Sequence, residues 1–98
     1  MKFDGIVANF EKMEITRNGV AVALTAREFK TLQFFVENPD RIIMRSELWN
    51  KVCGHEEGDT PSRSIDNHIM KLRQKLENDP SRPIHFRTVP RLGYKFAF

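Results

Sequence analysis

An α+β fold is predicted for this chain of 98 residues by three observations. Residues of strand period fill the first quarter and are broken by Asn18-Gly19. Three segments of helical period follow. Two more strand runs around a basic turn close the chain.

The elements follow in order. Gly5-Ile6-Val7-Ala8-Asn9-Phe10 is apolar and partly β-branched, and Met13-Glu14-Ile15-Thr16-Arg17 alternates apolar with polar residues. Asn18 and Gly19 both tolerate positive φ, so they predict a tight hairpin returning through Val20–Leu24. Thr25 with Glu28 three residues on is a capping-box pattern. The helix behind it places Phe29, Leu32 and Val36 on one face with Phe35 beside them. Asn38-Pro39 stops it, because proline cannot continue the ladder. Ile42-Ile43 suggests a short strand, and a second helix is expected from Arg45 to Val52 with Leu48, Trp49 and Val52 inward.

Cys53 to Thr60 is polar and glycine-containing, which predicts a loop. Pro61 suits the first turn of a third helix. That helix carries Ile65, Ile69, Leu72 and Leu76 at spacings of four, three and four, a single apolar stripe. Asn78-Asp79-Pro80 ends it. Pro83–Val89 and Tyr94–Phe98 read as strands around Pro90-Arg91-Leu92-Gly93. Helices followed by a hairpin outline a winged helix-turn-helix. One domain over 1–98 is expected, with an N-terminal sheet in 1–24, a three-helix core in 25–78 and a wing hairpin in 83–98.

Composition narrows the function. Hydrophobic residues are 40% and charged residues 30%. No apolar run approaches the ~20 residues of a membrane span, and the N-terminus lacks the apolar core of a signal peptide. Cys53 is the single cysteine, which favours a reducing cytoplasm. No glycine-rich phosphate loop, His-Glu-x-x-His pair or nucleophile elbow is present, so an enzyme is not expected. Cys53, His55 and His68 match no zinc spacing, and neither a metal nor another cofactor is expected.

Charge is unevenly spread. Met1–Thr60 holds eight Lys/Arg against ten Asp/Glu, whereas Pro61–Phe98 holds eight against three. A basic C-terminal third points to a polyanion. On the third helix, at ~100° per residue, Arg63, Asn67, Met70, Lys71 and Gln74 lie opposite the apolar stripe. Ser64 and His68 flank one edge, Asp66 and Arg73 the other. Amide and cationic groups of this kind suit base edges in a major groove. Arg63, His68 and Arg73 lie where flanking phosphates would run. The hairpin crowds Arg87, Thr88, Arg91 and Lys95 together, a basic wing fit for phosphate contacts and the adjacent minor groove.

Ser62 through Leu76 closely resembles the recognition helix of the OmpR/PhoB family of response regulators. Arg87-Thr88-Val89 through Gly93-Tyr94-Lys95-Phe96 resembles its wing, Leu24–Phe29 its first helix and Arg45–Leu48 its second. The resemblance implies an N-terminal antiparallel sheet of about four strands and a short strand near Ile42-Ile43 joined to the hairpin. It implies that Arg63, His68 and Arg73 hold phosphates, that Asp66, Asn67, Met70 and Lys71 face the major groove, and that Thr88 and Tyr94 touch phosphates beside the wing. Arg45, Ser64, Gln74, Arg87 and Arg91 complete the set of expected DNA-contacting residues. Met70 stands where the family often has a cation, and Pro90-Arg91-Leu92 where it often has Arg-Gly.

The implied function is sequence-specific binding of double-stranded DNA for transcription regulation, as the output domain of a bacterial two-component response regulator. Two copies would sit head to tail on direct repeats as a homodimer on DNA, spaced about one helical turn. The Val52–Pro61 loop would meet RNA polymerase. A receiver domain of ~120 residues would precede this module and is expected to be missing from the fragment. The alternative is a winged-helix protein-interaction module without DNA binding.

Overall fold

The computed structural model describes residues 1–53 and 61–98, the side chains of residues 53 and 61–63 excepted. Residues 54–60 of the expected loop, with the RNA polymerase contact assigned to it, and the side chain of Arg63 therefore lie outside the described residues.

The N-terminal sheet has four antiparallel strands in sequential order: β1 (Lys2–Phe3), β2 (Ile6–Asn9), β3 (Glu14–Arg17) and β4 (Val20–Ala21). Ile6 and Ala8 point inward and Val7 and Asn9 outward, the period-2 alternation of a sheet with one wet face. Asn18 and Gly19 take φ of 51° and 82° and bring Arg17 opposite Val20, as the hairpin signal predicts. The two-residue turn Asp4-Gly5, with φ of 43° and 78°, closes β1 onto β2 in the same way. The return strand ends at Ala21 rather than Leu24, and both its residues are exposed.

Helix α1 (Ala26–Glu37) begins with both halves of its capping box. The Glu28 N–H donates to Thr25 Oγ1 at 3.2 Å, and the Thr25 N–H donates to Glu28 Oε1 at 2.8 Å. Asn38 closes the far end by donating from Nδ2 to Phe34 O at 2.8 Å. Phe29, Leu32 and Phe35 are buried. Strand β5 (Ile43–Met44) falls one residue beyond the expected Ile42-Ile43, because Ile43 fills the core while Ile42 is exposed. Helix α2 is shorter than predicted, Arg45–Leu48, and continues as a π-helical turn over Trp49–Cys53. Leu48, Trp49 and Val52 still face inward.

Helix α3 runs Pro61–Leu76 and buries Ile65, Ile69, Leu72 and Leu76 almost completely. At its end Glu77 is buried, and its carboxylate accepts the backbone N–H groups of Ile84, His85 and Phe86 at 3.0–3.3 Å. The strand expected from Pro83 starts only at Phe86, just past the Ile84 and His85 N–H groups held by Glu77. The wing is β6 (Phe86–Val89) and β7 (Gly93–Phe96), and β5 pairs with β7 to give a second sheet ordered β5-β7-β6.

The two sheets share one core. Phe3 meets Phe96 edge-on at 5.2 Å, and Phe86 packs against both Phe96 (5.2 Å) and Phe35 (5.7 Å). Beside this aromatic group, His85 bridges Ala97 O at 2.8 Å and Asp4 at 3.1 Å, tying the turn after β1 to the chain just past β7.

Gly93 sits where β7 crosses β5. Its φ is +152°, and a Cβ there would lie 2.1 Å from Ile43 O. Gly93→Ala should therefore cost roughly 2–4 kcal/mol, from overpacking against backbone plus a strained φ. Urea unfolding of the purified domain checks this, and an unchanged midpoint would refute it.

Candidate nucleic-acid interface

Helix α3 stands out from the core as a ridge. Four aliphatic side chains hold one side, and Asn67, Met70, Lys71 and Gln74 are exposed on the other. Ser64 and His68 are half-buried on the flank toward α1, and Arg73 is half-buried on the flank toward the wing. An open groove follows each flank. Met70, Arg73, Gln74, Arg87 and Thr88 line the wing-side groove. Thr25, Arg27, His68, Lys71 and Lys75 line the other.

Five of the expected site residues converge on the wing side. Arg45 Nε donates to Asp66 Oδ1 at 2.8 Å, and the Tyr94 hydroxyl donates to the same oxygen. The guanidinium groups of Arg45 and Arg73 lie 5.3 and 5.6 Å from the Tyr94 ring centroid. Arg73 also donates from Nε to Phe86 O at 2.9 Å and from Nη2 to Thr88 Oγ1 at 2.7 Å. One linked set of charge-assisted bonds thus joins α2, α3 and the wing.

Asp66 lies on the edge it is expected to share with Arg73, but its carboxylate is engaged there rather than free to face the groove as the resemblance implies. Its carboxylate turns to α2 and the wing because two donors are held there, one of them cationic. Burial pushes this carboxyl up, but the bonds from Tyr94 and Arg45 outweigh it and hold it below its ordinary value. Tyr94 moves the other way. Burial and the bond to the Asp66 anion push its hydroxyl up to about 12.

His68 departs as well. Thr31 Oγ1 donates its one proton to Arg27 O at 2.9 Å, so the 2.7 Å contact with His68 Nε2 has the imidazole as donor. Burial lowers the His68 pKa and so favours the neutral imidazole. The sequence pattern missed this tie because Thr31 lies 37 residues away. It also missed the salt bridge from Lys75 Nζ to Glu28 Oε1 at 2.8 Å. Burial raises the Glu28 carboxyl, yet Lys75 and the Thr25 N–H bring it below its ordinary value. These two links tie α1 to α3.

On the wing, Arg87 is exposed, with Nε donating to Ile84 O at 2.9 Å. Arg91 is exposed at the tip with φ of 68°. Among the described residues no group of three or more His, Cys, Asp or Glu could hold a metal ion, and no helix is long and apolar enough to cross a membrane.

The sequence profile of the family described as "Transcriptional regulatory protein, C terminal" matches residues 19–96. The sensory transduction protein RegX3 of Mycobacterium leprae is 38% identical over 86 residues, covering 87% of this chain and 42% of that protein. The chain thus spans about two-fifths of the curated relatives it matches. Among solved structures, the RstA DNA-binding domain of Klebsiella pneumoniae, in complex with the RstA box, superposes with a TM-score of 0.84 at 28% identity, covering 99% of this chain and 95% of that one. The response regulator DrrB of Thermotoga maritima, an OmpR/PhoB homolog, superposes with a TM-score of 0.88 at 26% identity, covering 100% of this chain and 44% of that one.

Tyr94 is the single tyrosine, so its ionisation can be followed directly. Its absorbance midpoint should lie well above 10 in the native domain and fall toward 10 in Asp66→Ala. A raised folded value stabilises the fold below pH 10, and that contribution is lost as pH rises through the folded value. Equal midpoints in the two proteins would show that Asp66 does not govern the phenol.

Proposed function

The chain belongs to the OmpR/PhoB-type family of transcriptional regulatory protein C-terminal domains, and on that footing we propose that it binds double-stranded DNA sequence-specifically as the output domain of a two-component response regulator. The observation that carries this reading is the disposition of α3. A helix buried along Ile65, Ile69, Leu72 and Leu76 presents Asn67, Lys71 and Gln74 outward between two flanking grooves. Asn and Gln pair bidentately with adenine and Lys donates to guanine, so this ridge suits a major groove.

The flanks supply the phosphate contacts. Arg73 and Thr88, already bonded to each other, offer their remaining donors on the wing side. Arg87 and Arg91 extend that row, with Arg91 placed for the backbone or minor groove beside the wing. Arg63 is assigned to the same work from the sequence alone. Arg45 and Tyr94, held by Asp66, reach the duplex only along the edge of this row. His68 contributes as a neutral hydrogen-bonding group, and Ser64 as a hydroxyl.

Two copies on direct repeats, one helical turn apart, would place both ridges on one face of the DNA. On the same footing we propose a partner receiver domain, a contact of residues 52–61 with RNA polymerase and a cytoplasmic location. A module reserved for protein contacts gives no account of a basic wing beside an amide-bearing ridge.

Arg91→Ala should weaken binding to all sequences and reduce the salt slope by ~1. Asn67→Ala should instead cost ~1–3 kcal/mol at one or two base pairs and leave the salt slope intact. Fluorescence anisotropy against a selected operator and a random duplex separates the two. If both variants act alike on both duplexes, the division between base-reading and phosphate-binding residues is wrong.

A further inference from the structure

We infer that Met70 is a specificity-determining residue that selects thymine through its C5-methyl group. The inference rests on the reading above, in which α3 enters the major groove, and it names a chemistry that the polar residues of the ridge do not supply.

Met70 is the one exposed apolar side chain among the described residues of α3, at 49% exposure. It lies three residues after Asn67 and four before Gln74, so the three share one face of the helix. Asn67 and Gln74 stand on the crest, directly opposite the buried stripe. Met70 stands at the crest's margin on the wing side, at the lip of the groove it lines with Arg73, Gln74, Arg87 and Thr88. Arg73 does not fold over it, because that guanidinium is held by Phe86 O and Thr88 Oγ1. The thioether therefore faces outward, with cations along the neighbouring rail.

A methionine in that place cannot choose a base by hydrogen bonding. It has no donor, and its sulfur is a weak acceptor. Set against the exposed amine of adenine or cytosine, it would strip water from a polar group and return nothing. One base edge in the major groove is apolar, the C5-methyl of thymine. That methyl sits on the backbone side of the base edge, which matches a side chain at the margin of the ridge rather than on its crest. Methionine's unbranched, polarisable chain adapts to such a contact with little strain.

The experiment uses the chain with an operator recovered by selection from random duplexes. Each thymine of the half-site is replaced in turn by deoxyuridine, which removes the methyl and keeps every hydrogen-bonding group. At one thymine the wild type should lose about fourfold in affinity, the worth of one buried methyl. Met70→Ala should show no further loss at that position and keep the wild-type response at the others. Placing 5-methylcytosine there should bind better than cytosine in the wild type only. Specific binding with no thymine that separates wild type from Met70→Ala would overturn the role of Met70 and leave the major-groove reading standing. Failure to select any sequence would overturn both.

Discussion

A helix that is to be read from outside must be held from inside, and everything in this molecule depends on how α3 is held. Ile65, Ile69, Leu72 and Leu76 leave almost nothing of their side chains in water. Each such burial contributes roughly 1.5–3 kcal/mol relative to exposure, so rotating the helix would sacrifice more than a surface contact could return. The stripe therefore fixes which residues can never reach a ligand and which always can. It also sets the two flanks, because a side chain ~100° from the stripe falls toward α1 or toward the wing and nowhere else.

Polar links then lock the position that burial selects. Glu77 draws three consecutive backbone N–H groups onto one carboxylate and joins the end of α3 to the start of β6. Arg73 crosses from the helix to Phe86 O and Thr88, so the helix and the wing are tied together. Lys75 with Glu28, and His68 with Thr31, secure the opposite side to α1. Side chains already bonded in the free protein have less entropy to lose on binding, the usual advantage of preorganisation.

Asp66 gives this economy its electrostatic form. An acidic group on a surface rich in arginine looks misplaced until its partners are seen. It holds the Arg45 guanidinium and the Tyr94 hydroxyl on one oxygen, with both arginines of the network over the tyrosine ring. A negative charge thus orients the positive groups that would otherwise repel each other.

The sequence by itself determined whatever a local period or a short turn code can carry. The capping box at Thr25–Glu28, the stripe on α3 and the Asn18-Gly19 hairpin all appear where the residues place them. The first turn carried the same code in Asp4-Gly5, but two-residue β1 offers too little alternation to read beforehand. The ridge residues Asn67, Met70, Lys71 and Gln74 were legible for the same reason, since exposure opposite a stripe is a property of one helix. Tertiary structure alone decided the fates of Asp66 and His68. Their partners lie 21, 28 and 37 residues away, and a pattern within one helix says nothing of what another brings alongside. Hydrogen bonds and ion pairs depend on distances of a fraction of an ångström between separate elements, whereas hydrophobic periodicity needs only the right face. That difference in required precision is why the outline of the site was written in the residue order and its inner wiring was not.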